Sequence, residues 1–112
     1  MAKQYKITGA ALKQYLVDGA GWCIASDMIT VDGMPVGFMY REQPSKPSDS
    51  GWRFLSGAES DAYVADKSNL DTYLVNTIVN YDEAVLPLLL SPHGSAFKRG
   101  ADGKFAPTQM PG

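Results

Sequence analysis

The apolar positions near the start of the chain repeat with the spacing of one helix face. They fall at Ala11, Leu12, Tyr15 and Leu16. Thr8 precedes them, where a side-chain hydroxyl can cap the first backbone N–H groups, and Gly19 follows them, as is typical of a helix end. The pattern predicts a short N-terminal helix that docks through its apolar stripe.

The next stretch has the alternation and aromatic content of strands. Residues 22–31 are predicted to form one strand and residues 34–40 its antiparallel partner. Asp32 and Gly33 stand between them, and this dipeptide is a strong signal for a two-residue hairpin turn. In the returning strand Phe38 and Tyr40 share one face. Residues 51–55 predict a further strand of the same sheet.

The second half of the chain is less regular. Residues 70–79 fit both a strand and a helix, and their density of β-branched side chains favours a strand. Residues 83–90 predict a short helical segment that Asp82 caps. Residues 95–99 predict a last short strand, and Phe105 stands where it can hold down the chain that follows.

These elements predict a single small α+β domain over residues 1–99. It consists of an N-terminal helix and a mostly antiparallel sheet with short helical insertions, and residues 100–112 form a flexible C-terminal tail. The chain has 112 residues, of which 45% are hydrophobic, enough for one real core. The expected core comprises Trp22, Ile24, Phe38, Tyr40, Trp52, Phe54, Val75, Ile78 and Leu86.

Composition and charge indicate which classes of partner the chain is expected to bind. The net charge of −2 is too small to indicate nucleic acid or an anionic membrane surface. Cys23 is the single cysteine, so no disulfide can form within the chain. The chain start lacks the apolar run of a signal peptide. We therefore expect a cytoplasmic protein that binds neither nucleic acid nor membrane.

Few residues suggest chemistry. His93 and Cys23 are each the only one of their type and lie seventy residues apart in the sequence, so the sequence predicts no enzyme, no metal and no cofactor. Arg41 and Arg53 lie on adjacent predicted strands. Two such arginines can clamp a carboxylate or phosphate, or they can pair with nearby acids such as Asp49.

Charge is uneven along the chain. Residues 49–83 hold seven carboxylates and two basic residues, a net charge of −5, which leaves +3 for the remainder. Such a segment is either a solvated acidic face or a docking surface for a basic partner.

Four stretches resemble a known family: VGFMYRE at residues 36–42, DSGWRFLSGAE at residues 49–59, and VNTIVNYDE and LLLSPHGSAFKR nearer the C-terminus. Across about residues 23–99 the chain is similar to the bacterial immunity-protein-thirty-three family, formerly a domain of unknown function. The resemblance implies an antidote of polymorphic toxin systems, a small cytoplasmic protein that binds and neutralises a cognate protein toxin without catalysis.

The charge map suggests which residues meet such a toxin. Asp49, Glu59, Asp61 and Asp66 are the predicted charge contacts, with Arg41 and Arg53 fixing the local geometry. Two other functions stay open: a small-molecule or anion-binding module that uses the Arg41/Arg53 face, and a hydrolase built on a contact between His93 and a carboxylate.

Overall fold

A six-stranded sheet forms the centre of the fold, and a layer of short helices packs on one side of it. A computed structural model describes residues 3–7, 21–44 and 46–111. Within these residues the strands are β1 (Trp22–Ser26), β2 (Phe38–Arg41), β3 (Asp49–Leu55), β4 (Leu70–Leu74), β5 (Ala96–Arg99) and β6 (Phe105–Pro107). Their order in the sheet is β4-β1-β3-β2-β5-β6. The predicted α+β class and the short helical insertions are confirmed.

The sheet is mixed, which corrects the predicted mostly antiparallel arrangement. The neighbours β1 and β3 run parallel, with Ile24 opposite Arg53 and Ala25 opposite Phe54. The other four neighbouring pairs are antiparallel. The parallel pair arises because the chain leaves β1 through a helix and crosses to β2 before β3 enters beside β1. Alternation marks a strand, but it does not give the strand's direction.

The predicted hairpin at Asp32 and Gly33 is wrong, because β1 and β2 are not neighbours. A one-turn helix, α1 (Asp27–Thr30), follows β1 directly, and the Ser26 hydroxyl accepts its Met28 N–H at 3.1 Å. Gly33 has a φ of +79° and donates its N–H to the Ile29 carbonyl at 3.1 Å. The dipeptide therefore supplies the left-handed conformation expected of it, but it ends a helix.

Residues 70–79 divide between two elements. Strand β4 ends at Leu74, and α3 (Val75–Tyr81) begins at once. The prediction of a strand through residue 79 is therefore wrong for its second half. Val75, Ile78 and Val79 are fully buried at the spacing of one helix face, so burial of that stripe outweighs their β-branching.

The remaining helices are short. They are α2 (Asp61–Ala65) and two 3₁₀ helices, Lys67–Asn69 and Glu83–Leu88. Asp82 caps the second of these as predicted, since its carboxylate accepts the Ala84 N–H at 3.2 Å.

The core lies between the sheet and the layer formed by α1, α3 and the 3₁₀ helix Glu83–Leu88. The Trp52 and Phe54 rings stack there with centroids 6.0 Å apart, and the Trp52 indole N–H donates to the Leu89 carbonyl at 3.2 Å. Four of the predicted core residues are fully buried: Trp52, Phe54, Val75 and Ile78. Five are not: Ile24, Phe38 and Tyr40 are half-buried, and Trp22 and Leu86 are exposed.

The structure bears differently on the predictions for the two chain ends. The predicted N-terminal helix falls on residues 8–20, outside the described residues. Within the predicted tail, β6 pairs with β5 at the edge of the sheet. The Arg99 guanidinium lies 4.5 Å from the centroid of the Phe105 ring, so Phe105 does hold this segment in place.

Candidate functional site

The sheet face opposite the helical layer, called the outer face below, carries aromatic side chains that the core does not use. Register places Tyr40 opposite Arg53 and Phe38 opposite Leu55, so these four side chains share that face. The Phe38 and Tyr40 rings are half-buried with centroids 5.5 Å apart. Met39, between them, points into the core and is fully buried.

A groove of about 610 Å³ opens on this outer face. We call it the outer groove. Phe38 and Tyr40 belong to its lining, together with Leu55 of β3 and Val64 of α2. Its charged lining residues are Glu59, Asp61 and Lys98. The site therefore combines an apolar surface with charged groups of both signs, the acidic ones in the majority.

Arg53 is almost completely buried and fully paired. Its Nε donates to Glu42 at 2.6 Å, and its two terminal nitrogens donate to the two Asp49 carboxylate oxygens at 2.9 and 2.8 Å. Hydrogen bonding to Asp49 raises the pKa of Arg53, and the same bonds lower the pKa of Asp49. Asp49 and Arg53 thus form one rigid unit.

Arg41 lies on the other side of the sheet. It is opposite Trp52 in the register, and its guanidinium carbon is 5.7 Å from the centroid of the Trp52 ring. Its Nε donates to the Ser50 carbonyl and one terminal nitrogen donates to the Ser91 carbonyl, each at 2.8 Å. Arg41 and Arg53 therefore do not face one common site, so the geometry gives no support to an anion clamp formed by both.

Glu59 is a structural acid in a loop. Its two carboxylate oxygens accept the Ser56 N–H at 2.8 Å and the Gly57 N–H at 2.9 Å. Burial acts to raise the pKa of Glu59, but hydrogen bonds from Ser56 and Ser26 outweigh it and the pKa is lowered. The carboxylate therefore fixes the turn that leads from β3 to α2.

Asp61 and Asp66 lie at the two ends of α2 and are both exposed. Asp61 occupies the first turn of the helix, where its charge is favourable. Asp66 accepts the Ser68 N–H at 3.0 Å and hydroxyl at 2.6 Å, and these bonds lower its pKa. Of the four predicted acidic contacts, these two are the ones with carboxylates open to solvent.

The residues considered for catalysis do not come together. His93 is exposed and shares a shallow cavity with Asp49, whose carboxylate is already bound to Arg53. Cys23 is buried in β1, and burial raises the pKa of its thiol. Among the described residues, no group of histidines, cysteines and carboxylates is arranged to hold a metal ion. No helix in the same part of the chain is long and apolar enough to cross a membrane.

Comparison with known families supplies the decisive observation. A model of the immunity protein Imm33 domain matches residues 23–109. The chain belongs to this immunity-protein family. The match begins inside β1 and ends beyond β6, so it includes the Arg53 unit and the outer-groove residues named above. Searches of the curated proteins and of the solved structures gave no match.

Family membership confirms the resemblance predicted from the sequence and indicates an immunity function. Sequence reasoning missed Phe38 and Tyr40 as surface groups because it assigned the bulkiest rings to the core. The alternation of Phe38 and Tyr40 with Met39 was the available signal. Met39 and Arg41 share the face of Trp52, so the two rings must lie on the other face of the sheet. Sequence reasoning also missed Lys98, which register places opposite Phe38.

Proposed function

We propose that this immunity protein binds a cognate protein toxin directly and neutralises it without catalysis. The observation that carries the proposal is the Imm33 match over residues 23–109, which spans the six-stranded sheet. A preformed surface that covers the toxin's active region would inhibit it without any chemical step. The outer face, with its half-buried rings and charged groove, has the composition of such a surface.

The proposed contacts follow from which acids are open to solvent. Asp61 and Asp66 would meet a basic toxin surface, and their charges would mainly raise the rate of association. Asp49 and Arg53 would act by shaping the sheet edge, since their polar atoms are bound within the protein. Glu59 would fix the loop beside the outer groove, which it also lines. Arg41 would act in the same way through the Ser50 and Ser91 carbonyls.

The test uses a candidate toxin, the C-terminal domain of a protein encoded by a reading frame next to that of this chain, called the neighbouring toxin domain below. Co-expression with this chain should restore growth of cells that make the toxin domain, and the two purified proteins should form a complex by calorimetry. The toxin domain released from the complex should keep its mass and its activity. Absence of a complex would overturn binding, and a toxin of altered mass would indicate catalysis.

The hydrolase alternative has its own control. His93→Ala leaves the outer groove unchanged, since His93 lines the separate cavity beside Arg41. Growth rescue by this variant should equal that of the unmodified protein. Loss of rescue, with the complex still formed, would instead favour chemistry at His93.

A further inference from the structure

The outer groove combines two features that suit one kind of side chain. The Phe38 and Tyr40 rings offer an aromatic surface, and Leu55 and Val64 extend it with aliphatic groups. A long, unbranched stem can lie along such a surface while its end remains in solvent. The faces of the two rings also attract cations.

The charged residues around the groove favour a positive charge at the end of such a side chain. Glu59 and Asp61 line it together, and Lys98 is the basic residue that lines it with them. The Glu59 carboxylate is held in place by two backbone N–H groups, so it needs no reorganisation to meet a cation. Asp61 is exposed and its position follows from the Ser60 cap, whose hydroxyl accepts the Tyr63 N–H at 3.1 Å.

We infer that the outer groove receives an arginine or lysine side chain of the toxin, with its stem along Phe38 and Tyr40 and its charged end between Glu59 and Asp61. This inference rests on the proposed function and specifies where the toxin docks. An anionic group is disfavoured because two carboxylates face it. A purely apolar side chain would cover the Asp61 carboxylate without giving it a partner, and would bring no charge to balance Glu59, which is costly in a partly dry interface.

The experiment measures the dissociation constant of the complex with the neighbouring toxin domain for three variants. Asp61→Asn keeps the shape of the groove and removes one charge, and binding should weaken about tenfold. Phe38→Leu keeps an apolar side chain and removes one ring, with an expected loss of about three- to tenfold. Glu83→Gln is the matched control, since Glu83 is exposed in the helical layer on the opposite side, and it should bind normally.

A double-mutant cycle then identifies the side chain. Each arginine and lysine on the toxin domain is replaced by methionine, which keeps a long apolar stem. One replacement should cost about tenfold with the unmodified partner and almost nothing with Asp61→Asn. If the unmodified protein binds the toxin but Asp61→Asn and Phe38→Leu bind equally well, the inference is wrong and the proposed function stands. If the unmodified protein does not bind, both fail.

Discussion

At the scale of the residue, Glu59 shows how an acid in an acidic segment can serve the fold. Its carboxylate accepts two backbone N–H groups, and its negative charge strengthens both hydrogen bonds. Replacing Glu59 with glutamine removes that charge and should weaken them. We expect Glu59→Gln to lower the free energy of unfolding by about 1–2 kcal/mol at pH 7, measured by urea denaturation. Asp61→Asn, at an exposed position in the next turn, should change it by less than about 0.5 kcal/mol.

The same residue predicts a pH dependence. The folded-state pKa of Glu59 lies below its ordinary value of 4.5, so its contribution to stability is complete above that value. It is lost as the pH falls through the lowered pKa. The difference in unfolding free energy between the unmodified protein and Glu59→Gln should therefore shrink on acidification below about pH 4.5. A difference that stays constant down to pH 2 would contradict this.

Arg53 gives a second prediction at this scale. Its planar guanidinium binds Glu42 on one side and both oxygens of Asp49 on the other, a geometry that an ammonium group cannot reproduce. Arg53→Lys keeps the charge, yet we expect a loss of about 1–3 kcal/mol in a urea titration, since the position is almost fully buried. An unchanged midpoint would mean that charge alone holds Asp49 in place.

At the scale of the element, β3 depends on the backbone at Gly51. Its φ is +86°, and a Cβ there would meet the Glu42 carbonyl oxygen. Gly103 also has a positive φ, +81°, but open space surrounds it, so it is a matched control. Gly51→Ala should lower the unfolding free energy by at least about 3 kcal/mol, and Gly103→Ala by only about 1 kcal/mol. Equal losses of unfolding free energy in the two variants would show that β2 and β3 can move apart at Gly51 with no energetic penalty.

The elements also show what local pattern can and cannot predict. Alternation and turn chemistry predict β3, β5 and the Asp82 cap, and all three are present. The direction of β1 could not be predicted, because the parallel pairing with β3 depends on where β2 lies. The boundary between Leu74 and Val75 was missed because a β-branched run fits both periods, and only packing against the core decides between them.

At the scale of the whole molecule, the acidic segment should act on association rate. Asp61→Lys with Asp66→Lys should slow binding of the neighbouring toxin domain, because both charges are exposed beside the outer groove. Glu83→Lys in the helical layer should have little effect, although it reverses a charge in the same segment. Stopped-flow rates measure both, and denaturation midpoints check that the variants stay folded.

Salt provides an independent test. The Debye length falls from about 10 Å at 0.1 M to about 3 Å at 1 M, so association of the unmodified protein should slow over that range. The Asp61/Asp66 variant should show a smaller slope. Rates that ignore both salt and charge reversal would identify residues 49–83 as a solvated face.

The site was predicted only in part at this scale. Sequence identified the acidic segment and the family, but it placed Asp49 among the charge contacts because sequence cannot show that its carboxylate is already bound to Arg53. It also grouped Arg41 with Arg53, since strand proximity does not reveal that the register sends them to opposite faces. Exposure and pairing are properties of the folded sheet, so only the structure separates Asp61 and Asp66 from the others.

The buried Cys23 thiol can report how often the folded protein opens. This residue is 1% exposed in a strand that is paired on both edges, by β3 and by β4. Its side chain lies in the core, so an alkylating reagent can reach it only when the helical layer and the sheet separate. The labelling rate of the unmodified chain therefore reports those openings without any engineered probe. A toxin bound at the outer groove, on the other side of the sheet, would slow the labelling that passes through global unfolding, by the factor that its concentration and affinity set.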